Sequence, residues 1–333
     1  MMAELTERLR AEAAKLLSDG RVAMVIGYRQ GPTPTEVVPA FITSPEGAEA
    51  LVLNSLCVHN LATYLKSGTD GNVAVVAKPC DTRALVSLLQ ERQLKREQLV
   101  VVTVPCVGVA DVRKFRAALG EDHALVQSLS QEGQDLLLAL QGGGVRRIAL
   151  ADVLARKCAE CAFQEPTLLA PSLSLGVDVR LDEGRAWASP PPSDRAEATA
   201  ERIAAMPREE RLRFWQEAFS RCIRCYACRS VCPVCFCNKC FADETMPQWV
   251  ARSFGRAESE LFHLVRFIHV AGRCTGCGEC ERVCPMEIPL TTVTDKMNQE
   301  VRELFGYEPG LTTEETPPLA HFTLEDLDIF GKG

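Results

Sequence analysis

The sequence predicts an α/β domain with a largely parallel sheet, joined to a smaller, mainly helical domain built around two cysteine repeats. Two observations carry that expectation. Over residues 1–150, short apolar runs alternate with amphipathic stretches and glycine- or proline-marked turns, as strand–helix–strand units do. Further on, the run Cys222-x-x-Cys225-x-x-Cys228-x-x-x-Cys232-Pro233 returns as Cys274-x-x-Cys277-x-x-Cys280-x-x-x-Cys284-Pro285.

Leu5, Leu9, Ala13, Leu16 and Leu17 fall at helical spacing, so a helix is expected over about Leu5–Leu17, stopped by Asp19-Gly20. Strands follow at Val22–Tyr28 and Val37–Ile42, then a short Leu51–Leu53 run and a helix over Cys57–Lys66 ended by Gly68. Val73–Ala77 is apolar throughout, as in a strand buried on both faces. Next come a helix at Thr82–Arg92, a strand at Leu99–Val104 and a helix at Asp111–Leu119, until Gly142-Gly143-Gly144 breaks the pattern. Residues 151–192 read as an irregular segment with Cys158 and Cys161, ending in the stiff Pro190-Pro191-Pro192 linker. Residues 193–310 hold helix-favouring stretches (Asp194–Met206, Pro207–Ser220), both cysteine runs and the amphipathic Arg256–Ala271 between them. The acidic, Thr- and Pro-containing stretch 311–333 reads as a mobile tail or partner-wrapping arm.

The C-x-x-C-x-x-C-x-x-x-C-P spacing is that by which bacterial-type ferredoxins hold [4Fe–4S] clusters, the fourth cysteine crossing to the other cluster. The expected ligand sets are therefore Cys222, Cys225, Cys228 and Cys284 for one cluster, and Cys274, Cys277, Cys280 and Cys232 for the other. C-x-x-C pairs also serve zinc, but two complete copies closed by Cys-Pro favour iron–sulfur and electron transfer. Five more thiols lie in two clumps, Cys158/Cys161 and Cys235/Cys237/Cys240. Cys158, Cys161, Cys237 and Cys240 are expected to hold a third [4Fe–4S] cluster or a zinc ion, with Cys235 able to replace either of the last two. Spare buried thiols are the alternative. Trp215 and Phe219 would shield the clusters, and Arg221, Arg224, Arg229 and Arg273 are candidates to offset their charge. His263 and His269, six apart on one helix, read as ordinary helix residues.

A net charge of −7 argues against nucleic-acid binding. No run approaches the roughly 18 apolar residues that span a membrane, and the N-terminus reads as an amphipathic helix rather than a secretion signal. A cytoplasmic protein is expected, its sixteen cysteines kept reduced. No catalytic residue for hydrolysis stands out, and neither G-x-G-x-x-G nor a P-loop occurs. Lys78-Pro79-Cys80-Asp81-Thr82-Arg83 precedes a helix and could hold a phosphate with backbone N–H groups and two cations; ordinary capping by Asp81 and Thr82 is the alternative. The loop Asn54–Asn60 and Gly27–Gly31 are further loops of this kind. Cys80 and Cys106 follow prolines at strand ends, where parallel sheets bind ligands, or serve as apolar filler.

Lys78-Pro79-Cys80-Asp81-Thr82-Arg83-Ala84, Val104-Pro105-Cys106-Val107-Gly108 and the stretch Phe219–Cys228 resemble motifs of one family. It is the beta subunit family of the deazaflavin (coenzyme F-420) reducing hydrogenases and formate dehydrogenases, in the bacterial form with an added dicluster ferredoxin module. The resemblance implies an FAD against the sheet, with Lys78, Cys80, Asp81, Thr82, Arg83, Asn54 and Asn60 around it. It also implies one or more [4Fe–4S] clusters and a partner subunit of the hydrogenase, formate dehydrogenase or heterodisulfide-reductase-like kind. Electrons would pass between that partner and a two-electron carrier. A flavin-free relay or assembly adaptor is a second expectation, and reduction of a disulfide at Cys80 or Cys106 a third.

Overall fold

The computed structural model describes residues 2–161, 179–180, 199–251 and 255–320. Helix α1 (Met2–Ser18) buries Leu5, Leu9, Ala13 and Leu16 against the sheet core, on the face their spacing predicts. Strands β1 (Met24–Gln30) and β2 (Val37–Ile42) pair antiparallel, because the 31–36 turn is too short for the crossover a parallel pair needs. Strand β3 (Val73–Ala77), helix α2 (Pro79–Gln90) and strand β4 (Leu99–Thr103) form a parallel unit, both strands buried along their whole length. The sheet is therefore mixed, not uniformly parallel. Its order is β2-β1-β3-β4-β8, where β8 (Val179–Arg180) runs parallel to β4.

Three sequence expectations need correction here. The Leu51–Leu53 strand is only an antiparallel bridge between Leu51 and Arg29. The Cys57–Lys66 helix reduces to a 3-10 turn at Leu61–Leu65. Asn60 Oδ1 accepts Ala62 N at 3.1 Å and Asp81 Oδ1 accepts Leu61 N at 2.9 Å, so side chains take the N–H groups of that turn's start. Helix α2 begins at Pro79 rather than Thr82. Pro79 suits a first helical position, and Lys78 N donates to Asp81 Oδ2 at 2.8 Å as in a capping box. Cys80 thus sits in a helix turn, not a loop.

Past helix α3 (Val112–Leu119), a second sheet of β5 (Val126–Glu132), β6 (Asp135–Leu140) and β7 (Val145–Ala149) was not foreseen. Its strands are antiparallel, and the glycines at 142–143 make the β6–β7 turn with positive φ. The short helices α4 (Leu150–Val153) and α5 (Arg156–Ala159) follow. Helix α6 (Thr199–Ala204) covers part of the expected Asp194–Met206 helix, while the Pro190–Pro192 linker lies outside the described residues.

The C-terminal module packs α7 (Arg208–Ser220), α8 (Ala227–Ser230), α9 (Arg256–Val270), α10 (Glu279–Arg282) and α11 (Leu290–Phe305) round its own core. That core contains Ala218, Cys228, Phe262, Phe267, Cys280, Cys284, Ile288 and Leu290. Helix α2 grips this module. Arg83 binds Thr275 O, Pro309 O and the Glu308 carboxylate, the last at 2.5 Å. Gln90 reaches Thr312 O and Glu315 O, so residues 311–320 pack against the sheet domain rather than forming a free tail. Residues 321–333 lie outside the described residues. Among the described residues, no helix is long and apolar enough to cross a membrane.

Candidate metal centres

In each cysteine run the backbone turns left-handed at two matching positions, Arg224 and Tyr226 in the first, Gly276 and Gly278 in the second. Such residues curl the chain so that its N–H groups face inward; Arg224 N lies 3.4 Å from Cys222 Sγ. The second run uses glycine at both places, where a positive φ costs little. At Gly278 a side chain would also collide with Lys157. The turns deliver the next cysteines onto the one-turn helices α8 and α10.

The structure brings the fourth cysteines across. Cys284 lies within electrostatic reach of Cys222 and Cys228, and Cys232 within reach of Cys274, Cys277 and Cys280. Burial pushes the Cys228 and Cys274 thiols up to about 11. Buried thiols of this kind become thiolates when a positive centre accepts them, and soft thiolate sets suit iron–sulfur clusters. Trp215 stacks on Phe219 with ring centroids 5.5 Å apart, and both pack against the core holding Cys228, Cys280 and Cys284. Of the four expected arginines, Arg221 is exposed, Arg229 pairs with Asp243 at 2.7 Å, Arg273 pairs with Glu91, and Arg224 donates to Ala251 O.

Four more thiols come near one another at the carboxyl ends of β3 and β4, although among the described residues no three side chains stand close enough to hold a single metal ion. Cys80 comes from the first turn of α2, Cys106 from the loop after β4, and Cys158 and Cys161 from α5 and its end. Gly108 N lies 3.4 Å from Cys106 Sγ, and Val109 N lies 3.4 Å from Cys158 Sγ. Gly108 has φ +96°, and a Cβ there would meet Leu154 Cδ1 at 2.6 Å and Cys158 Cβ at 3.4 Å, so glycine permits the close approach. The Ala110–Leu154 bridge holds the two segments together. Burial first, then neighbouring Cys158, pushes Cys106 up to about 12, with Cys161 adding to the push. Cys80 is raised by burial and then by Asp81, with Lys78 and Lys157 opposing and Cys106 adding the least.

Cys235, Cys237 and Cys240 line a cleft of about 750 Å3 with Phe236, Arg229 and Arg273. There Cys235 hydrogen-bonds Cys232 and Arg229 hydrogen-bonds Cys240. Lys157, missed in the sequence, is buried between the sheet-end thiols and the second run. Its Nζ donates to Cys277 O and lies 3.8 Å from Glu279 Oε1. Its signal was only its place between Cys158 and a run of helix formers.

The residues expected around a flavin are engaged with protein. Lys78 Nζ contacts Tyr28 OH, His59 O at 2.8 Å and Asp81 Oδ2 at 2.9 Å. Thr82 Oγ1 donates to Pro79 O at 2.9 Å, Asn60 Nδ2 to Cys80 O at 3.2 Å, and Asn54 Oδ1 accepts Leu56 N at 2.8 Å. Asp81 caps α2, and Arg83 faces the C-terminal module. The cavity bordered by Asn54, Lys78 and the Pro105–Val109 loop is about 30 Å3, against about 300–1,000 Å3 for cofactor sites. The residues bordering this cavity do not fit an isoalloxazine ring there.

A family described as the 4Fe-4S dicluster domain matches residues 218–288, which span the first run and reach past the second. The chain is 24% identical to the F420-dependent formate dehydrogenase subunit beta of Methanocaldococcus jannaschii, over 92% of this chain and 90% of that one. It is 25% identical to F420-dependent formate dehydrogenase 1 subunit beta of Methanococcus maripaludis, over 91% and 90%. A chain of the F420-reducing [NiFe] hydrogenase complex from Methanosarcina barkeri superposes with a TM-score of 0.37 and 15% identity, over 48% of this chain and 62% of that one. The resemblance read from the motifs is thereby borne out: this chain is a homologue, along some nine-tenths of its length, of the beta subunits of F420-dependent formate dehydrogenases, and it carries a 4Fe–4S dicluster domain in its C-terminal part.

Proposed function

We propose that the protein is an electron-transfer subunit of a formate dehydrogenase-like complex, carrying two [4Fe–4S] clusters in its C-terminal module and a third at the sheet. The observation that carries the first two is the approach of each fourth cysteine to the other run, Cys284 to Cys228 and Cys232 to Cys277. Cys80, Cys106, Cys158 and Cys161 are the ligands proposed for the third. Lys157 lies near both Cys80 and Cys277, which supports a path from the sheet-end set to the second run. Cys228 and Cys280 lie within reach of each other, which supports a further step to the first. When bound, the clusters take and give single electrons. The chain's own part is to hold the thiolates, exclude water with Trp215, Phe219 and Phe262, and place cations between centres.

The relatives' dependence on F420 supports a two-electron carrier at one end of this path and a formate-oxidising partner at the other. FAD belongs to this reading through the motif resemblance alone, and the cavity beside Lys78 does not support it. The flavin-free relay is the second reading, favoured by the small cavity and the engaged Lys78–Arg83 side chains. Anaerobic purification followed by iron, zinc and flavin assay tests all of this. About twelve irons per chain are expected at four per cluster. About eight would remove the third cluster, and stoichiometric zinc with fewer than eight irons would overturn the proposal. One flavin per chain would sink the relay reading.

A further inference from the structure

Helix α9, which separates the two cysteine runs, carries its charge in an unexpected place. Its inward positions are Ser259, Phe262, His263, Arg266, Phe267 and Val270, a largely aromatic face with an arginine in the middle. Arg266 is 4% exposed. Nη2 donates to Cys228 O at 3.2 Å, while Nε and Nη1 are buried with no protein partner. Among the described residues no carboxylate pairs with it. The groups facing it are thiols from both runs, Cys228 and Cys232 of the first and Cys280 of the second, with Cys235 beside them. His263, one turn back, stacks between Phe219 and Phe267 and offers no negative charge.

A buried guanidinium with unpaired donors is costly by several kcal/mol unless negative charge and acceptors meet it. Thiolate-bound [4Fe–4S] clusters carry net negative charge, gain more on reduction, and accept hydrogen bonds at sulfur. The geometry points to Arg266 as a positioning residue shared by the two clusters, donating to the sulfur of each through Nε and Nη1 and raising both reduction potentials together. Hydrogen bonds to sulfur and local charge are the levers by which a protein sets such potentials. This rests on the two clusters proposed above. Arg266 thereby takes the role expected of Arg221, Arg224, Arg229 and Arg273.

The test uses the full chain, purified without oxygen, as Arg266→Gln and Arg266→Lys. Redox titration followed by electron paramagnetic resonance should show both midpoints shifted to more negative potential in the Gln variant at unchanged iron content. Arg266→Lys, which keeps the charge and loses the fork, should shift them less. Unchanged midpoints, or a shift at one cluster only, would overturn the inference. Should the Gln variant lose iron, the wild type still decides. In [15N]arginine-labelled protein both reduced clusters should show a 15N hyperfine coupling that disappears in Arg266→Lys. Full cluster signals without that coupling overturn this inference alone; absence of any cluster signal overturns the functional proposal with it.

Discussion

The two thiol sets of this protein reach similar donor groups by opposite routes. In the C-terminal module, six of the eight proposed ligands come from two local loops whose left-handed residues, Arg224, Tyr226, Gly276 and Gly278, fold each run on itself. At the sheet, Cys80, Cys106 and the Cys158/Cys161 pair come from three separate segments that meet only because β3 and β4 are parallel neighbours. A locally encoded site survives changes in its surroundings; one assembled by topology depends on the whole domain. The first kind is visible as spacing in a sequence, and the second is not.

That contrast can be broken most severely by removing thiols on both sides of the paired runs. Cys228→Ser with Cys280→Ser is expected to lose about eight irons and to unfold the helical module, since both side chains belong to its core. Iron assay and circular dichroism would read this, with about four irons persisting at the sheet. Loss of all iron would mean that the two sets are not independent.

Cys80→Ser with Cys106→Ser should remove about four irons and leave the paramagnetic signal of the paired clusters intact. Cys237→Ser with Cys240→Ser should leave iron unchanged. The reverse pattern would restore the grouping expected from the C-x-x-C pairs alone.

Arg83→Ala probes how the two regions are joined. It removes the bonds to Thr275, Glu308 and Pro309 and leaves Glu308 without that partner. Breaking a buried pair costs roughly 3–5 kcal/mol, so denaturant unfolding should separate into two transitions. A single transition at wild-type midpoint would show that the clamp is dispensable.

The smallest effect expected is a pH dependence seated in the helical module. Burial first, then Arg266, lowers His263 to about 3. The unfolded chain then binds a proton below about pH 6.5 that the folded chain refuses, so stability falls as pH drops through that window, by about 1 kcal/mol per unit. Asp295, raised to about 6 by burial, works in the opposite direction between its two values and stays in both proteins compared. His263→Phe, which can keep the ring stack, should flatten the difference. Equal pH slopes for the two proteins would refute it.

Sequence reading found β3, β4 and α1 because burial writes itself as apolar runs and helical spacing. It found the paired runs because their ligands are neighbours in the chain. It missed the β5–β7 sheet, whose strands mix Gln, Ser and Leu and bury only one or a few residues each, so no alternation stands out. It put a helix at Cys57–Lys66 because propensity there favours one, while Asn60 within the segment and Asp81 outside it claim the backbone N–H groups. Lys78 and Arg83 were read as cations for a ligand because their partners, Tyr28, Thr275 and Glu308, are distant in sequence. Arg266 was passed over on a helix read only as amphipathic. An arginine at an inward helical position was the one available signal.

Cys80 and Arg83 stand three residues apart on the first turn of α2, one facing the sheet-end thiols and the other clamped to Thr275 between Cys274 and Cys277. A helix rises about 1.5 Å per residue, so a few ångströms of rigid backbone would help set the gap between the proposed sheet-end cluster and that of the second run. Electron tunnelling falls off steeply with separation. With one side of that gap set by a single helical turn and the other by the Arg83 bonds to Thr275, the hop rate would follow how firmly the two domains are clamped.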